Sequence, residues 1–259
     1  MNVAKRQLPP PGDLFLDHVA HFVPDLDAAA AVFETLGFAV TRLSVHVTPQ
    51  GPLGTSNRCV MLEEGYIELL APRPERGLRL ACFGTPDAAG EHRRLADHGF
   101  EPFPVLDLAR KINRKDSARF KVVRPAADAM PEGQIQFVQQ LTPGRIWTKP
   151  SINHFRLKSV MVVADDPVAA AARWARFTGL IPRRTEEGIR LETARGSVLV
   201  AKRFAWRTPA SPALAGYQLA CRHPQKFAAR CSAAGIRVRR VGSRYAAALP
   251  AALGGTWVF

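Results

Sequence analysis

The sequence is poor in cysteine, and its few cysteines form no recognisable motif. Only four occur in 259 residues, and no two of them stand in a C-x-x-C pair. Neither a zinc knuckle nor a dithiol redox motif is indicated, so we expect four small, reduced thiols packed inside the protein. Their scattered positions are Cys59, Cys82, Cys221 and Cys231.

Long apolar runs are also missing. No segment approaches the roughly 20 apolar residues of a membrane-spanning helix. The chain starts with MNVAKRQLPPPGD, which holds no apolar stretch that could serve as a secretory signal. The apolar fraction of 47% and the charged fraction of 22% are typical of soluble globular proteins. We therefore expect a cytoplasmic protein with no membrane partner, long enough for two domains or one large one.

Acidic residues are scarce relative to basic ones, with 22 Asp and Glu against 36 Lys and Arg and a net charge of +14. Such a charge can attract nucleic acid, an anionic membrane surface or an acidic small molecule. The basic residues are spread along the chain, and the densest stretch, Arg110–Lys121, is predicted to be mostly a solvated loop. No RNA-recognition motif, Cys/His finger or basic heptad accompanies it. We expect a small-molecule ligand and no specific nucleic acid.

Common catalytic and phosphate-binding motifs are missing as well. The segment Gly51–Asn57 reads GPLGTSN, which lacks the Lys-Ser/Thr ending of a phosphate loop and does not lead into a helix. Its glycines are predicted to form a tight turn before the third strand, with Asn57 fixing that turn or touching a ligand. No Ser-His-Asp or Cys-His arrangement is recognisable.

The chain does contain an internal repeat. Leu16–Phe38 and Leu157–Leu180 each begin as an apolar-rich strand, pass through an Asp-containing turn and enter an alanine-rich helix that ends at glycine. We predict Asp25 and Asp166 as the N-caps of these two helices, with Pro167 at the first position of the second one. The chain therefore holds two related halves.

A second pair of segments extends this repeat to four modules. Leu80–Phe100 and Leu219–Ile236 each read as a strand, a proline-containing turn and a helix, and short strands follow every helix. The sequence predicts an α+β fold of four βαβββ modules. Because one module leaves a sheet face uncovered, two should pair into a half-open barrel with a ligand in its concave interior. The predicted domains are residues 1–143 and 154–259, joined by a linker at 144–153.

The first module also resembles a known family. Its segments LDHVAHFVPDLDAAAAVFETLGF, GPLGTSNRCVML and GYIELLAP are similar to the first module of glyoxalase-like proteins in the vicinal oxygen chelate superfamily. The resemblance is clear over Leu14–Pro72, weaker over Gly77–Leu141, and rests mainly on fold in the second half. It implies that His18 in the first strand and Glu68 in the fourth strand bind a divalent metal.

The resemblance further implies a ligand from the partner module. The position equivalent to Glu68 there is Gln136, whose amide oxygen makes it the third predicted ligand. Relatives carry one or two histidines just before the Thr-Pro that follows, whereas this chain has Gln140 and Leu141. No other position equivalent to His18, Glu68 or Gln136 in the later modules carries a metal-binding side chain. The residues at those places are Leu80, Ser159, Leu199 and Val258.

Two functions are compatible with this resemblance. The first is a metal-dependent enzyme of lyase, isomerase or dioxygenase type, which acts on a small oxygenated metabolite and for which the basic composition suits an anionic substrate. The metal would be Zn, Ni, Mn or Fe(II), because a His and a carboxylate do not distinguish between them. The second is a non-catalytic protein that sequesters a small molecule. Four modules in one chain are compatible with a monomer or a homodimer.

The predicted ligands also have a purely structural interpretation. His18 lies at mid-strand with Leu16 and Ala20 on its own face, and such a histidine is often only hydrogen-bonded. A hydrogen bond between His18 and Glu68 across an empty barrel would explain both residues. A carboxylate within an apolar strand nevertheless needs a cation or a strong donor, because unpaired burial is costly.

The other histidines give weaker functional signals. His21 should point to the opposite face of the first strand, toward the helix, and is predicted to be structural. His46 is predicted to lie in the polar loop after the second strand, at the mouth of the substrate site. The remaining histidines are expected to be solvated or structural. They are His92, His98, His154 and His223.

Overall fold

The protein is described by a computed structural model, which covers residues 4–113, 116–148, 151–206 and 208–259. Within these ranges the chain forms four successive modules, each made of one strand, one helix and three further strands, as the sequence predicts. The elements of the first half are β1 (Phe15–Phe22), α1 (Leu26–Thr35), β2 (Ser44–Thr48), β3 (Gly51–Glu64), β4 (Tyr66–Ala71), β5 (Gly77–Gly84), α2 (Ala88–Asp97), β6 (Leu106–Lys111), β7 (Ser117–Val123) and β8 (Gln134–Gln140).

The second half repeats this order of elements. Short 3₁₀ helices at Lys5–Gln7 and Pro143–Arg145 precede the first half and follow it. In the described ranges, no helix combines the length and the apolar character that crossing a bilayer requires. The elements of the second half are β9 (Ile152–Val163), α3 (Pro167–Thr178), β10 (Pro182–Thr185), β11 (Gly188–Glu192), β12 (Ser197–Ala201), β13 (Ala213–Cys221), α4 (Pro224–Ala233), β14 (Arg237–Val241), β15 (Arg244–Ala248) and β16 (Thr256–Val258).

The strands of the first half form a closed ring. Their order is β1-β4-β3-β2-β6-β7-β8-β5, and β5 returns to β1. The ring closes where β2 pairs with β6, placing His46 opposite Arg110. The second half has the equivalent order, β10-β11-β12-β9-β13-β16-β15-β14, but in the described residues β10 and β14 do not pair with each other. The predicted α+β fold of paired βαβββ modules is confirmed, with the first barrel closed rather than half-open.

The helices begin and end where the sequence predicts. The carboxylate of Asp25 accepts hydrogen bonds from two backbone N–H groups in the first turn of α1, and Asp166 does the same for α3. Pro167 occupies the first turn of α3, where its missing N–H costs nothing. Gly179 ends that helix with a φ of 75°, a left-handed conformation that favours glycine.

One apolar core joins the two halves. Phe38, just after α1, lies 4.8 Å from Phe155 of β9 and 5.7 Å from Phe227 of α4, measured between ring centroids. His21 is fully buried in this core and faces α1 as predicted, with its ring 6.4 Å from that of Phe33. A smaller apolar cluster lies on the interior side of the first barrel. The two halves are therefore packed together along their helical faces.

The segment predicted as a linker, residues 144–153, contains the start of β9. This strand pairs in parallel with β3 of the first half. Asn153 donates hydrogen bonds to the carbonyl oxygens of Ala39 and Met61, at 3.0 and 2.9 Å. Residues 149–150 lie outside the described ranges. The division into two domains stays a prediction, because the halves share this pairing as well as a core.

Two segments predicted as loops are strands. The basic stretch Arg110–Lys121 covers the end of β6 and most of β7, which pair antiparallel, while residues 114–115 are not among those described. The segment Gly51–Asn57 is the first half of β3, and His46 lies within β2 rather than after it. The prediction for Gly51–Asn57 was wrong because this polar segment lacks the apolar alternation that signals a strand, and pairing with β2 stabilises it instead. In the basic stretch the loop prediction was too long, because β7, one of the strands predicted to follow α2, already begins at Ser117.

Candidate active site

The three predicted ligands lie together in a cavity of about 200 Å³ inside the first barrel. Strand register explains why His18, Glu68 and Gln136 meet. Residue Ala20, two positions beyond His18 on the same strand face, pairs with Glu68 of β4. His18 itself pairs with Cys82 of β5, which in turn pairs with Gln136 of β8. All three predicted residues are buried and line the same space.

A β-bulge at Asp17 shapes the first of these positions. In the pairing of β1 with β5, Leu16 lies opposite Phe83 and His18 opposite Cys82, so Asp17 is an extra residue. Bulges of this kind re-aim neighbouring side chains and are common beside active sites. Leu16 consequently packs in the core between the halves, whereas Ala20 belongs to the cluster inside the barrel. The prediction that Leu16 shares the face of His18 was wrong for this reason.

The bulge allows Asp17 to hold the ring of His18. Asp17 is fully buried, and its Oδ1 lies 2.7 Å from Nδ1 of His18. The ring of His18 also stacks on Tyr66, with centroids 4.3 Å apart. Gln140 donates to both carboxylate oxygens of Asp17 at 3.3 Å. Gln140 therefore supports the site from behind.

Glu68 is the centre of the polar network. Its Oε2 lies 3.8 Å from Nε2 of His18, and its Oε1 accepts a hydrogen bond of 2.5 Å from the amide of Asn57. Burial alone would raise the pKa of this carboxyl group. The rings of His18 and His46, the Asn57 amide and the guanidinium of Arg110 outweigh burial and lower the pKa of Glu68 below its ordinary value. The carboxylate is therefore charged at neutral pH.

His46 and Asn57 belong to the same network. The amide nitrogen of Asn57 lies 3.0 Å from Nε2 of His46, while Nδ1 of His46 donates to the hydroxyl of Thr55 at 2.9 Å. Burial lowers the pKa of His46, although the negative charge of Glu68 acts in the opposite direction. Sequence reasoning assigned His46 and Asn57 only minor roles, because the contact between them depends on the register of β2 against β3. An Asn in a Gly-rich segment was the one signal that pointed to it.

Gln136 lines the cavity, and the oxygen of its side-chain amide already accepts one hydrogen bond. Its Oε1 accepts a hydrogen bond from Gln134 at 2.9 Å, which leaves one lone pair of that oxygen available. Register supports its equivalence to Glu68, because Cys82 and Gln136 pair in the second module as Ala20 and Glu68 pair in the first. In the second half the same relation joins Met161 to Leu199 and Gln218 to Val258. No carboxylate or imidazole stands at those two positions.

Three arginines make the cavity strongly basic. Arg110 is buried, and its Nη1 lies 2.8 Å from the sulfur of Cys59. Its guanidinium also lies over the rings of Tyr66 and Phe120, at 6.0 and 5.7 Å from their centroids. Arg73 and Arg124 also line this cavity, and both line a second cavity beside it. Arg110 had been predicted as part of a solvated loop, and only its pairing in β6 brings it to the site.

The donor atoms fit a divalent metal in part. The 3.8 Å between Nε2 of His18 and Oε2 of Glu68 is less than twice the ~2.1 Å length of a metal–ligand bond. A carboxylate on the far nitrogen, as Asp17 provides, is typical of metal-binding histidines. In the described ranges, no group of three or more His, Cys, Asp or Glu side chains could hold a metal. Two side chains thus fit, and further ligands would have to be amide oxygens, water or substrate.

Comparison with known proteins supports the fold. A family model described as a glyoxalase-like domain matches residues 16–178. No curated protein matches the chain. The fold resembles that of a hypothetical protein from Staphylococcus aureus, with a TM-score of 0.67, 14% identity and coverage of 95% of this chain and 98% of the other.

Enzymes of known activity share the same fold. A 2,2',3-trihydroxybiphenyl 1,2-dioxygenase from Sphingomonas wittichii superposes with a TM-score of 0.60 at 11% identity, over 95% of this chain and 90% of the other. A mutant 4-hydroxymandelate synthase from Streptomyces coelicolor gives 0.59 at 12% identity, over 96% and 93%. At these identities the likeness concerns the fold alone.

Proposed function

Because the chain belongs to the glyoxalase-like domain family, we propose that it is a divalent-metal-dependent enzyme that acts on a small oxygenated metabolite inside the first barrel. The observation that carries this proposal is the pairing of His18 with Glu68. Asp17 engages one nitrogen of His18, and the other nitrogen faces the carboxylate across the cavity. Neither Nε2 of His18 nor Oε2 of Glu68 has a hydrogen-bond partner in the described part of the chain.

Each polar residue of the cavity has a role in this proposal. His18 and Glu68 would hold the metal, with Gln136 as a third ligand through its amide oxygen. A bound divalent metal would act as a Lewis acid toward the oxygen atoms of the substrate. Asn57 and His46 fix the orientation of Glu68. The reaction would be of lyase, isomerase or dioxygenase type, and the dioxygenase among the structural neighbours supports the last of these.

The basic walls favour a substrate that carries or develops negative charge. Arg110 is positioned by its contacts with Cys59 and the ring of Tyr66. Because its guanidinium is buried close to Glu68, it offsets part of the negative charge that a carboxylate and an oxyanion would bring together. The partner we propose is therefore a small molecule, as the composition indicates.

A second candidate function is sequestration of a small molecule without turnover. Its support is the Asn57 amide, which already bonds both Glu68 and His46. These two acceptors therefore do not need a metal to be satisfied. The second half, without ligand residues at the equivalent positions, would then complete the fold without chemistry of its own.

Metal content of the purified protein, measured by plasma mass spectrometry, tests the first proposal. We expect near-stoichiometric metal in the wild type, a loss in His18→Ala and Glu68→Ala, and a partial loss in Gln136→Ala. His98→Ala removes an exposed histidine that caps the C-terminal end of α2 and serves as the matched control. Wild-type protein that is metal-free, and takes up no Zn, Ni, Mn or Fe(II) in an anaerobic titration, would contradict the enzyme proposal and leave sequestration.

A further inference from the structure

A second, larger cavity adjoins the cavity at His18 and Glu68. This outer cavity has a volume of about 530 Å³. Arg73, Arg124 and Gln134 line both spaces and so form the boundary between them. A molecule that enters the inner cavity from this side passes these three residues, which places them where a substrate would be selected.

Arg73 and Arg124, called the arginine pair below, lie side by side without an acidic partner. In the ranges that the structure describes, neither forms an ion pair with a carboxylate. Among the described residues, the side chain of Arg73 donates only to the amide oxygen of Gln134, at 3.0 Å, and its Nε is buried without a partner there. Burial and the charge of Arg73 lower the pKa of Arg124. Two partly buried positive charges repel each other, and an anion bound between them would offset this repulsion.

Packing holds Arg73 in place at the boundary. Arg73 comes shortly after β4 and Arg124 directly after β7, so both extend from strand ends of the closed barrel. The guanidinium of Arg73 lies over the ring of Phe22, 4.6 Å from its centroid. Glu75 lines the outer cavity but is exposed and pairs with neither arginine. Positioned guanidinium groups bind phosphate and carboxylate through paired hydrogen bonds.

We propose that the arginine pair binds the oxyanion group, phosphate or carboxylate, of the substrate. The oxygenated carbons of the substrate then extend into the inner cavity toward His18 and Glu68, and the outer cavity is the route of entry. The placement of the oxygenated carbons in the inner cavity rests on the function proposed above. The anion site itself depends only on the two arginines, so the two ideas can fail separately.

Titration calorimetry with inorganic phosphate, and with acetate in a parallel series, tests the anion site at constant ionic strength. We expect Arg124→Gln and Arg73→Gln to weaken binding of the preferred anion about tenfold or more. Arg79→Gln is the matched control, because Arg79 lines the outer cavity only and its loss changes the net charge equally. Arg124→Lys keeps the charge but loses the planar fork, and it should also bind more weakly. The anion that the wild-type protein binds more tightly identifies the oxyanion group of the substrate.

The outcomes separate this inference from the proposed function. Anion binding that is lost in both arginine-pair variants but kept in Arg79→Gln, His18→Ala and Glu68→Ala supports the site, even if the wild type contains no metal. Equal weakening in Arg79→Gln and Arg124→Gln would show a diffuse charge effect and overturn it. An absence of binding of either anion by the wild type would overturn it as well.

Discussion

Asp17 and Gln140 form a polar support behind His18. Asp17 is buried and bonds Nδ1 of the imidazole, while Gln140 donates to both oxygens of the same carboxylate. Such a carboxylate raises the basicity of a metal-binding histidine and fixes its ring orientation. Asp17 is therefore a positioning residue in the proposed function, acting through His18 rather than on the substrate.

Substitution of this carboxylate tests its role. We expect Asp17→Asn to weaken metal binding by about 10- to 100-fold, since an amide can still accept from His18 but carries no charge. Competition with a chromogenic chelator measures the affinity, and circular dichroism checks the fold. Asp13→Asn changes an exposed aspartate of the same segment and should bind like wild type. Equal affinities for Asp17→Asn and wild type would show that Asp17 only fills space.

At the scale of single elements, α3 depends on its N-cap. Both Asp165 and Asp166 precede the helix and are exposed, but only Asp166 accepts hydrogen bonds from the first turn. The negative charge of that carboxylate also lies at the positive end of the helix dipole. Sequence position alone does not separate the two aspartates, whereas their hydrogen bonds do.

We expect Asp166→Ala to lower the free energy of unfolding by about 1 kcal/mol, because two backbone N–H groups lose their acceptor. Asp165→Ala removes the same charge without removing a cap and should stay within about 0.5 kcal/mol of wild type. Urea denaturation followed by circular dichroism compares the two variants. A larger loss for Asp165→Ala than for Asp166→Ala would be inconsistent with this capping arrangement.

At the scale of the whole molecule, His21 connects the halves. Its Nδ1 donates to the carbonyl oxygen of Leu253 at 2.6 Å, and its Nε2 lies 2.9 Å from the hydroxyl of Tyr217. Burial lowers the pKa of His21 to about 4, although the bond to Leu253 acts in the opposite direction. The folded protein therefore keeps this ring neutral at pH values where the unfolded chain protonates it.

This difference makes stability depend on pH. The contribution of His21 is complete above its unfolded pKa of about 6.5 and is lost as pH falls from there toward 4. Between pH 7.5 and 5 the free energy of unfolding should drop by about 2 kcal/mol from this residue. Urea denaturation at both pH values should show a smaller drop for His21→Gln. The exposed His98→Gln should behave like wild type; identical pH dependence in all three proteins would refute the assignment to His21.

Local sequence patterns specify the four modules and place His18 and Glu68 in strands of the first one. Apolar periodicity, the caps Asp25 and Asp166 and the terminal glycines are local signals, because they depend on the backbone of a few successive residues. The same local pattern placed His18 and Glu68 in two strands of one module. The resemblance of these two segments to the glyoxalase-like family, rather than the pattern alone, indicates this pair as the predicted ligands.

The surroundings of His18 and Glu68 depend on contacts between strands that are distant in the chain. The bulge at Asp17, the approach of His46 to Asn57 and the burial of Arg110 depend on how distant strands align, and a shift of one residue would reverse each face. Closure of β2 onto β6 likewise has no local signal. Strand register is set by packing over the whole barrel, so the boundary formed by Arg73 and Arg124, which lie far apart in the chain, emerges only when the barrel is complete.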